Sequence, residues 1–239
     1  MTFKTIHSLG SRCQNSEILK FYGYREFSGF FDFMNTSTVN IINHILENDF
    51  LELLKDENNF SLVCEQLTID PETGERLPSS IRTNNKFYNH DYLDVHSAIF
   101  PHHDLNDEKT KNHFLNCRQR LKKLKHYPTL FNYTFNKWEN NIHTGDMDRM
   151  ANSLINVYEM KDFRLCFIGV EYGVKSTYDK VASSQYYDVW NLTIPSHSFT
   201  GGLFQNQIDN ENYINIIKSY DIDSNRVTRE EIDSLPQID

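Results

Sequence analysis

The sequence lacks three features that would each narrow its function. It has no C-x-x-C pair among its four cysteines, no run of about 18 apolar residues that could span a bilayer, and no charged-then-apolar signal segment at its start. The cysteine spacing excludes zinc-ribbon and thioredoxin-like sites. The other two absences predict a cytoplasmic protein with reduced thiols.

Basic side chains are the minority charge. The chain has 24 Lys and Arg residues against 33 Asp and Glu residues, a formal net charge of -9. Nucleic-acid backbones and anionic membranes both need a basic face, so neither is expected as a partner. The one basic cluster, residues 118–125, falls at the end of a predicted helix, where cations complement the helix dipole. We expect a small-molecule, peptide or glycan substrate and no cofactor.

The composition is that of a folded chain. Aromatic residues make up 13% of it, too many for a disordered protein, and its 239 residues predict one catalytic-type domain over residues 1–239. Residues 55–86 lose regular periodicity and contain the turn sequence DPETG, which predicts an insertion or a short hairpin over the core. Residues 221–239 are predicted as an acidic C-terminal tail.

A cysteine follows the first predicted strand. An alternating apolar segment at residues 3–9 leads through Gly10 and Ser11 to Cys13, and residues 15–22 carry apolar positions at helical spacing. Backbone N–H groups at a helix start favour negative charge, so a thiol at this corner can lose its proton near neutral pH. Cys13 is therefore a candidate nucleophile, and a buried inert cysteine is the alternative.

An acidic residue stands in a dense aromatic patch, FSGFFDF, at residues 27–33. Burying Asp32 unpaired would cost roughly several kcal/mol, so this carboxylate is either hydrogen-bonded to backbone or functional. The next helix is predicted from a cap at Thr36 or Ser37, with an apolar face that extends to Phe50.

Histidines and aspartates concentrate in residues 85–107. The segment contains His90, His96, His102, His103, Asp91, Asp94, Asp104 and Asp107. Both residue types are good metal ligands, but their spacing matches no H-E-x-x-H type pattern, so we expect no metal. One general-base histidine within this segment is a simpler requirement.

The second half of the chain alternates between strands and helices. Asp107 is predicted to cap a helix that ends near residue 125, and strands are predicted at residues 129–135, 163–170 and 186–194. The apolar run LCFIGV at residues 165–170 is typical of a strand buried on both faces of a parallel sheet. A helix is predicted at residues 148–158, another at 210–220, and a capping box at Thr228 and Glu231 indicates a last short helix.

Three motifs give a family resemblance. The segments SLGSRC at residues 8–13, FFDF at residues 30–33, and His103-Asp104 followed by Arg118-Gln119-Arg120 resemble the DUF1796 family, described as putative papain-like cysteine peptidases. The resemblance implies a nucleophile at Cys13 and a base at His103, with His102 as the neighbouring choice. Asp32 or Asn132 would orient the imidazole, because Asp104 adjoins His103 and side chains of neighbours on an extended segment point to opposite faces.

The fold prediction departs from the family description. A papain-like domain packs the cysteine helix against a largely antiparallel sheet, an α+β arrangement. The strand and helix alternation instead predicts an α/β domain with a central, mostly parallel or mixed sheet flanked by helices. Ligands of such sheets bind at the carboxyl ends of the strands. The turn at residues 9–13 and the loop at residues 196–202 would both lie there. The candidate substrate-binding residues are Ser8, Gly10, Arg12, His102, Arg120, Asn132 and His197.

Three functions fit these residues. The first is a cysteine-dependent hydrolase or acyl transferase. The second is a transferase for a glycan or nucleotide-activated donor, in which His103, Asp104, Arg120 and the loop at residues 196–202 bind the substrate and Cys13 is structural. The third is a non-catalytic binding protein that uses the aromatic patch at residues 30–33 as its partner surface.

Overall fold

The computed structural model describes residues 1–10, 14–35, 38–64, 80–88, 99–100, 102–138, 142–195, 199–200 and 203–238. Within them the chain forms nine strands and seven α-helices. In chain order these are β1 (Thr5–Ser8), α1 (Gln14–Phe21), α2 (Val39–Glu47), α3 (Leu51–Leu54), β2 (Asn59–Cys64), β3 (Ser80–Asn85), α4 (Glu108–Lys123), β4 (Thr129–Asn136), α5 (Thr144–Asn156), β5 (Phe163–Tyr172), β6 (Thr177–Ser183), β7 (Tyr187–Ile194), β8 (Phe199–Thr200), β9 (Leu203–Phe204), α6 (Gln207–Lys218) and α7 (Arg229–Ser234).

A five-stranded sheet forms the centre of the fold, in the order β1-β4-β5-β7-β6. β1, β4, β5 and β7 run parallel, and only the edge strand β6 runs antiparallel to its neighbour. The predicted α/β class is therefore confirmed. The α+β papain-like alternative is wrong, because four of the five strands are parallel.

Buried side chains divide between the two faces of this sheet. Along β5, Phe163, Leu165 and Phe167 join one apolar cluster, whereas Cys166 and Ile168 join the other. Helices α2, α4 and α5 pack on the first face, which we call the α5 face. Helices α1 and α6 pack on the second, which we call the α1 face.

Local signals located several elements correctly. The Asp107 carboxylate accepts a hydrogen bond from the Thr110 N–H at 2.8 Å, and Thr228 and Glu231 form the predicted capping box. The cap of α2 is Thr38; the predicted caps at residues 36 and 37 lie outside the described residues. Strand β6 has no counterpart in the prediction, because all seven of its residues are exposed and give no apolar alternation.

Two segments outside the five-stranded sheet are joined to other parts of the fold. The segment predicted as an insertion contains the antiparallel pair β2 and β3, and Thr83 of β3 bridges to Phe100. At the carboxyl end of the chain, Ile222 forms a parallel bridge with Phe3 beside β1, and α7 packs on α4.

The basic cluster at residues 118–125 is neutralised by ion pairs within the protein. Arg118 and Lys122 both pair with Asp49, while Arg120 pairs with Asp233. Cations in the last turn of α4 also complement its dipole, as predicted. Among the described residues, every helix is too short or too polar to span a bilayer.

Candidate active site

The first two parallel strands of the sheet end beside each other. β1 and β4 are neighbours, but the helices that follow them pack on opposite faces: α1 on the α1 face and α5 on the α5 face. The connections that leave the two strands therefore diverge, and ligands of parallel sheets bind beyond the carboxyl ends of the strands. The SLGSRC motif begins at the last residue of β1 and so leaves the sheet at this end.

The backbone turns sharply where β1 ends. Gly10 adopts φ +81, a left-handed conformation that a side chain would strain, and a Cβ at this position would lie 3.5 Å from Phe31 Cβ. The Ser8 hydroxyl accepts a hydrogen bond from the Gly10 N–H at 3.2 Å. Asn15 of α1 donates to the Gly10 carbonyl at 3.1 Å, which ties the first turn of the helix to the strand end. Ser8 and Gly10 are thus buried and shape the turn.

Asp32 lies buried beside this turn with a cation as its partner. Its Oδ2 accepts hydrogen bonds from Arg25 Nη1 at 3.1 Å and from the Gly29 N–H at 2.8 Å, and the same Arg25 nitrogen donates to the Ser16 hydroxyl. The Asp32 side chain is only 1% exposed and that of Arg25 only 12%. Burial raises the pKa of Asp32 to about 6, against the opposing effects of Arg25 and Gly29.

A buried histidine on β1 adjoins this ion pair. The His7 ring packs so closely on Gly29 that a Cβ there would lie 2.2 Å from its Cε1. Among the residues that the structure describes, His7 Nε2 has no hydrogen-bond partner. Burial, with the positive charges of Arg25 and Arg120, lowers the pKa of His7 to about 4. His7 is therefore neutral at physiological pH. Sequence reasoning missed it because a lone histidine in a strand gives no motif.

Arg120 is engaged within the protein. Its guanidinium makes two hydrogen bonds to the Asp233 carboxylate, at 2.7 and 2.9 Å, and a longer one to the Ser28 carbonyl at 3.5 Å. The side chain is 4% exposed. These contacts join α7 and the loop before Phe30–Phe33 to α4, and they favour a structural role over the predicted substrate contact.

The His103 ring packs against aromatic side chains, one of which, Phe114, belongs to α4. Its ring meets Phe33 edge-on at 4.9 Å and Phe114 at 5.6 Å, and Phe33 also contacts His113 at 5.4 Å. Burial, and the nearby His102 and His113, hold the pKa of His103 below its ordinary value, so the imidazole is neutral and can accept a proton.

The residues adjacent to His103 differ from it in environment. His102 is exposed, whereas His103 is half-buried. Asp104 accepts hydrogen bonds from the Ser61 hydroxyl and from the Asn106 N–H. This carboxylate therefore connects strand β2 to the segment that follows His103. Its contacts give no support to a catalytic role beside His103.

Asn132 lies on the α1 face with both ends of its amide occupied. Its Oδ1 accepts from the Tyr213 hydroxyl at 2.5 Å, and its Nδ2 donates to the Cys166 carbonyl at 3.5 Å. Its side chain is fully buried. This arrangement stabilises the packing of α6 on β4 and does not favour a contact with substrate or imidazole.

The aromatic patch belongs to the core. Phe30 and Phe31 are fully buried and contact Phe50 at ring distances of 4.1 and 5.4 Å. Of the rings in residues 30–33, that of Phe33 alone is partly accessible. The hypothesis of a partner surface formed by this patch is therefore wrong.

Two of the other cysteines are chemically inert. Burial raises the pKa of the Cys117 and Cys166 thiols to about 12 each, which confirms Cys166 as a core residue. Cys117 Sγ lies 3.6 Å from His113 Nε2, but at that pKa the pair holds a thiol and no thiolate.

The predicted residues Arg12, Cys13 and His197 lie outside the described residues. Within the described ranges no group of three or more metal-ligating side chains comes together.

Comparison with known proteins gives one match. The family model DUF1796, described as putative papain-like cysteine peptidase, matches residues 4–170, more than two thirds of the chain. No curated protein and no solved structure matches the chain significantly. The matched range begins beside β1 and ends within β5, so it contains β1, β4, Asp32 and His103. The chain belongs to the DUF1796 family of putative papain-like cysteine peptidases.

Proposed function

We propose that the protein is a cysteine-dependent hydrolase in which Cys13 is the nucleophile and His103 the general base. The observation that carries this proposal is the divergence of α1 and α5 to opposite faces after β1 and β4, with Cys13 directly before the first residue of α1 in the sequence. A thiol next to a helix start gains thiolate character from the backbone N–H groups there. The function thus rests on this local site, since the parallel sheet does not have the papain-like arrangement.

Two of the other three cysteines support the choice of Cys13. Cys117 and Cys166 are buried in opposite apolar clusters, and both thiols have a pKa too high for catalysis near neutral pH. Half-buried His103 is preferred to exposed His102 because a base works best where packing holds its ring in place.

The reaction follows from these roles. His103 takes the thiol proton, the sulfur bonds to the substrate carbonyl carbon, and N–H groups at the start of α1 donate to the resulting oxyanion. When the carbonyl re-forms, the bond to the amine or alcohol breaks and this leaving group takes the proton from the imidazolium. Water then loses a proton to His103 and attacks the thioester, which releases the acid and restores the thiol. An acceptor other than water would make the same enzyme an acyl transferase.

The test is hydrolysis of a panel of fluorogenic esters, amides and short peptides. We expect Cys13→Ala to abolish the activity and His103→Gln to lower kcat by about 100-fold or more, a typical contribution of a general base. His102→Gln is the matched control and should change kcat less than about twofold. Activity that survives Cys13→Ala, or a loss in His102→Gln without one in His103→Gln, would contradict the assignment.

A transferase for a glycan or nucleotide-activated donor is the second candidate. The carboxyl end of a parallel sheet suits a nucleotide as well as a peptide. Against it, Arg120 and Asp104 already bind partners within the protein. A thermal-shift screen against sugar nucleotides distinguishes the two: stabilisation by several degrees favours the transferase, and no response favours the hydrolase.

A further inference from the structure

Asp32 has a partner that a catalytic triad does not require. A triad carboxylate orients the histidine, and the family resemblance gave Asp32 that position. In the structure the carboxylate instead accepts hydrogen bonds from Arg25 and the Gly29 N–H. Among the hydrogen bonds of the described residues, none joins Asp32 to His103; the Phe33 ring, one residue further along the chain, is what contacts His103.

The ion pair leads to α1. Arg25 Nη1 donates to the hydroxyl of Ser16, which lies fully buried in the first turn of the helix. One residue earlier, Asn15 holds the same turn to the Gly10 carbonyl. The first turn is thus fixed on one side to the end of β1 and on the other to the Arg25–Asp32 pair. The next residue toward the amino terminus from Gln14 is Cys13.

We propose that Asp32 acts on the nucleophile's side of the site, as a positioning residue that works through Arg25 and Ser16, and does not orient the catalytic histidine. This inference rests on the proposed role of Cys13. In it Arg25 supplies a buried positive charge next to α1, the helix that follows Cys13 in the sequence, and Asp32 holds that charge in place and balances it.

Other charged side chains near Arg25 and Asp32 interact with this pair more weakly. Glu17 approaches Arg25 at 3.8 Å, but its carboxylate is exposed to solvent, where screening weakens the interaction. Arg120 is close enough to His7 and Cys117 to shift their pKa values, and it is paired with Asp233. Asp32 is therefore the buried anion that balances Arg25.

Removing the positive charge and removing the negative charge should shift the pKa of the Cys13 thiol in opposite directions. Removing the cation in Arg25→Gln takes away the buried positive charge near α1, which disfavours a thiolate. Removing the anion in Asp32→Asn leaves the guanidinium unbalanced, which favours a thiolate. A purely structural pair predicts another pattern: either substitution loosens α1 and moves the thiol toward ordinary behaviour in both variants.

The experiment is the pH dependence of Cys13 alkylation by iodoacetamide, followed by peptide mass spectrometry on the full-length protein. We expect the midpoint to rise by about 0.5 to 1 in Arg25→Gln. It should fall by a smaller amount in Asp32→Asn, because a carboxyl with a pKa of about 6 is already partly protonated at the pH where Cys13 titrates. Arg25→Lys keeps the charge and should stay near wild type. Arg149→Gln, which removes the surface pair with Glu47, is the matched control and should leave the midpoint unchanged.

A second readout separates the two possible roles of Asp32. The titration of His103, followed by its imidazole NMR signals, should be the same in wild type and Asp32→Asn. Midpoints that move in the same direction in both variants, no movement in either, or a shifted His103 titration would overturn the inference. A wild-type midpoint near the ordinary thiol value of about 8.5 would instead contradict the proposed function itself. If Arg25→Gln fails to fold, Ser16→Ala replaces it and should also raise the midpoint.

Discussion

Asp32 and Asp188 are both buried carboxylates that face an arginine, near opposite edges of one sheet. Asp188, 4% exposed, accepts bonds on both oxygens from Arg164, at 2.7 and 2.9 Å. Ser183 at 2.7 Å, Tyr220 at 3.1 Å and Lys180 at 3.2 Å complete its surroundings. Burial alone would raise the pKa of Asp188, but the hydrogen bonds and charge of its partners lower it to about 2.

Asp32 receives less compensation for a similar burial. One guanidinium nitrogen and one backbone N–H contact its Oδ2, and burial therefore prevails and raises its pKa to about 6. The Asp188 carboxylate has hydrogen-bond partners on both oxygens, and it stabilises the pairing of the edge strand β6 with β7. A carboxylate that is only partly compensated is typical of functional sites, where charge is kept available for chemistry.

Removing the Asp188 carboxylate should have the largest effect on stability. Asp188→Asn leaves Arg164 and Lys180 without their buried anion, and we expect the free energy of unfolding in urea to fall by about 3 to 5 kcal/mol. Asp179→Asn, on the exposed surface of β6, is the control and should change it by about 0.5 kcal/mol or less. Equal losses in both variants would mean that Asp188 does not stabilise this pairing.

His7 and Asp32, which lie close together, make the stability of the protein depend on pH in opposite ways. The pKa of His7 falls from 6.5 to about 4 on folding, so the stability that this histidine contributes is present above pH 6.5 and is lost as the pH falls through 4. Asp32 has the opposite sign: its raised pKa contributes stability below pH 3.8, which is lost as the pH rises through about 6.

Replacing His7 should therefore weaken the fall in stability at acid pH. Between about pH 7 and about pH 4.5, we expect the free energy of unfolding in urea to fall by about 2 to 3 kcal/mol less in His7→Gln than in wild type. The exposed His102→Gln is the control and should follow the wild-type curve. A fall in stability at acid pH that is unchanged in His7→Gln would show that His7 does not titrate with folding.

A smaller effect is expected at the backbone donor of Asp32. In Gly29→Ala the new Cβ would lie 2.2 Å from the His7 ring, and forcing it into the core should cost about 1 to 3 kcal/mol in urea unfolding. Gly145→Ala meets no atom within 4 Å and should be neutral. Adding His7→Ala makes room for the methyl, so the double variant should lose less than the sum of the single variants. Strict additivity would argue against the contact.

Elements with a strong local signal were predictable from the sequence. The apolar run of β5 and the Asp107 cap of α4 each depend on neighbouring residues, and both are present in the structure. Strand β6 was not predictable, because an exposed edge strand that is held by one neighbour needs no apolar residues. Its partner β7 stabilises it through contacts that no local pattern records.

The site was predictable only as a list of residue types. The sequence indicated Asp32 as an unusual acid, but its pairing with Arg25 depends on the loop between α1 and Phe30–Phe33, whose course no motif specifies. Asn132 and Arg120 fell at motif-like positions, yet tertiary contacts with Tyr213 and Asp233 engage them. Buried polar residues take their partners from distant elements, so spacing alone does not identify their roles.

The most direct test of the account measures the alkylation rate of each cysteine in the native wild-type protein from about pH 5 to about pH 9. We expect the Cys13 rate to stay flat down to about pH 6, while Cys117 and Cys166, buried and with a pKa of about 12, stay unmodified. A Cys13 rate with its midpoint near about 8.5, the value of an ordinary thiol, would contradict the role of Cys13 as nucleophile.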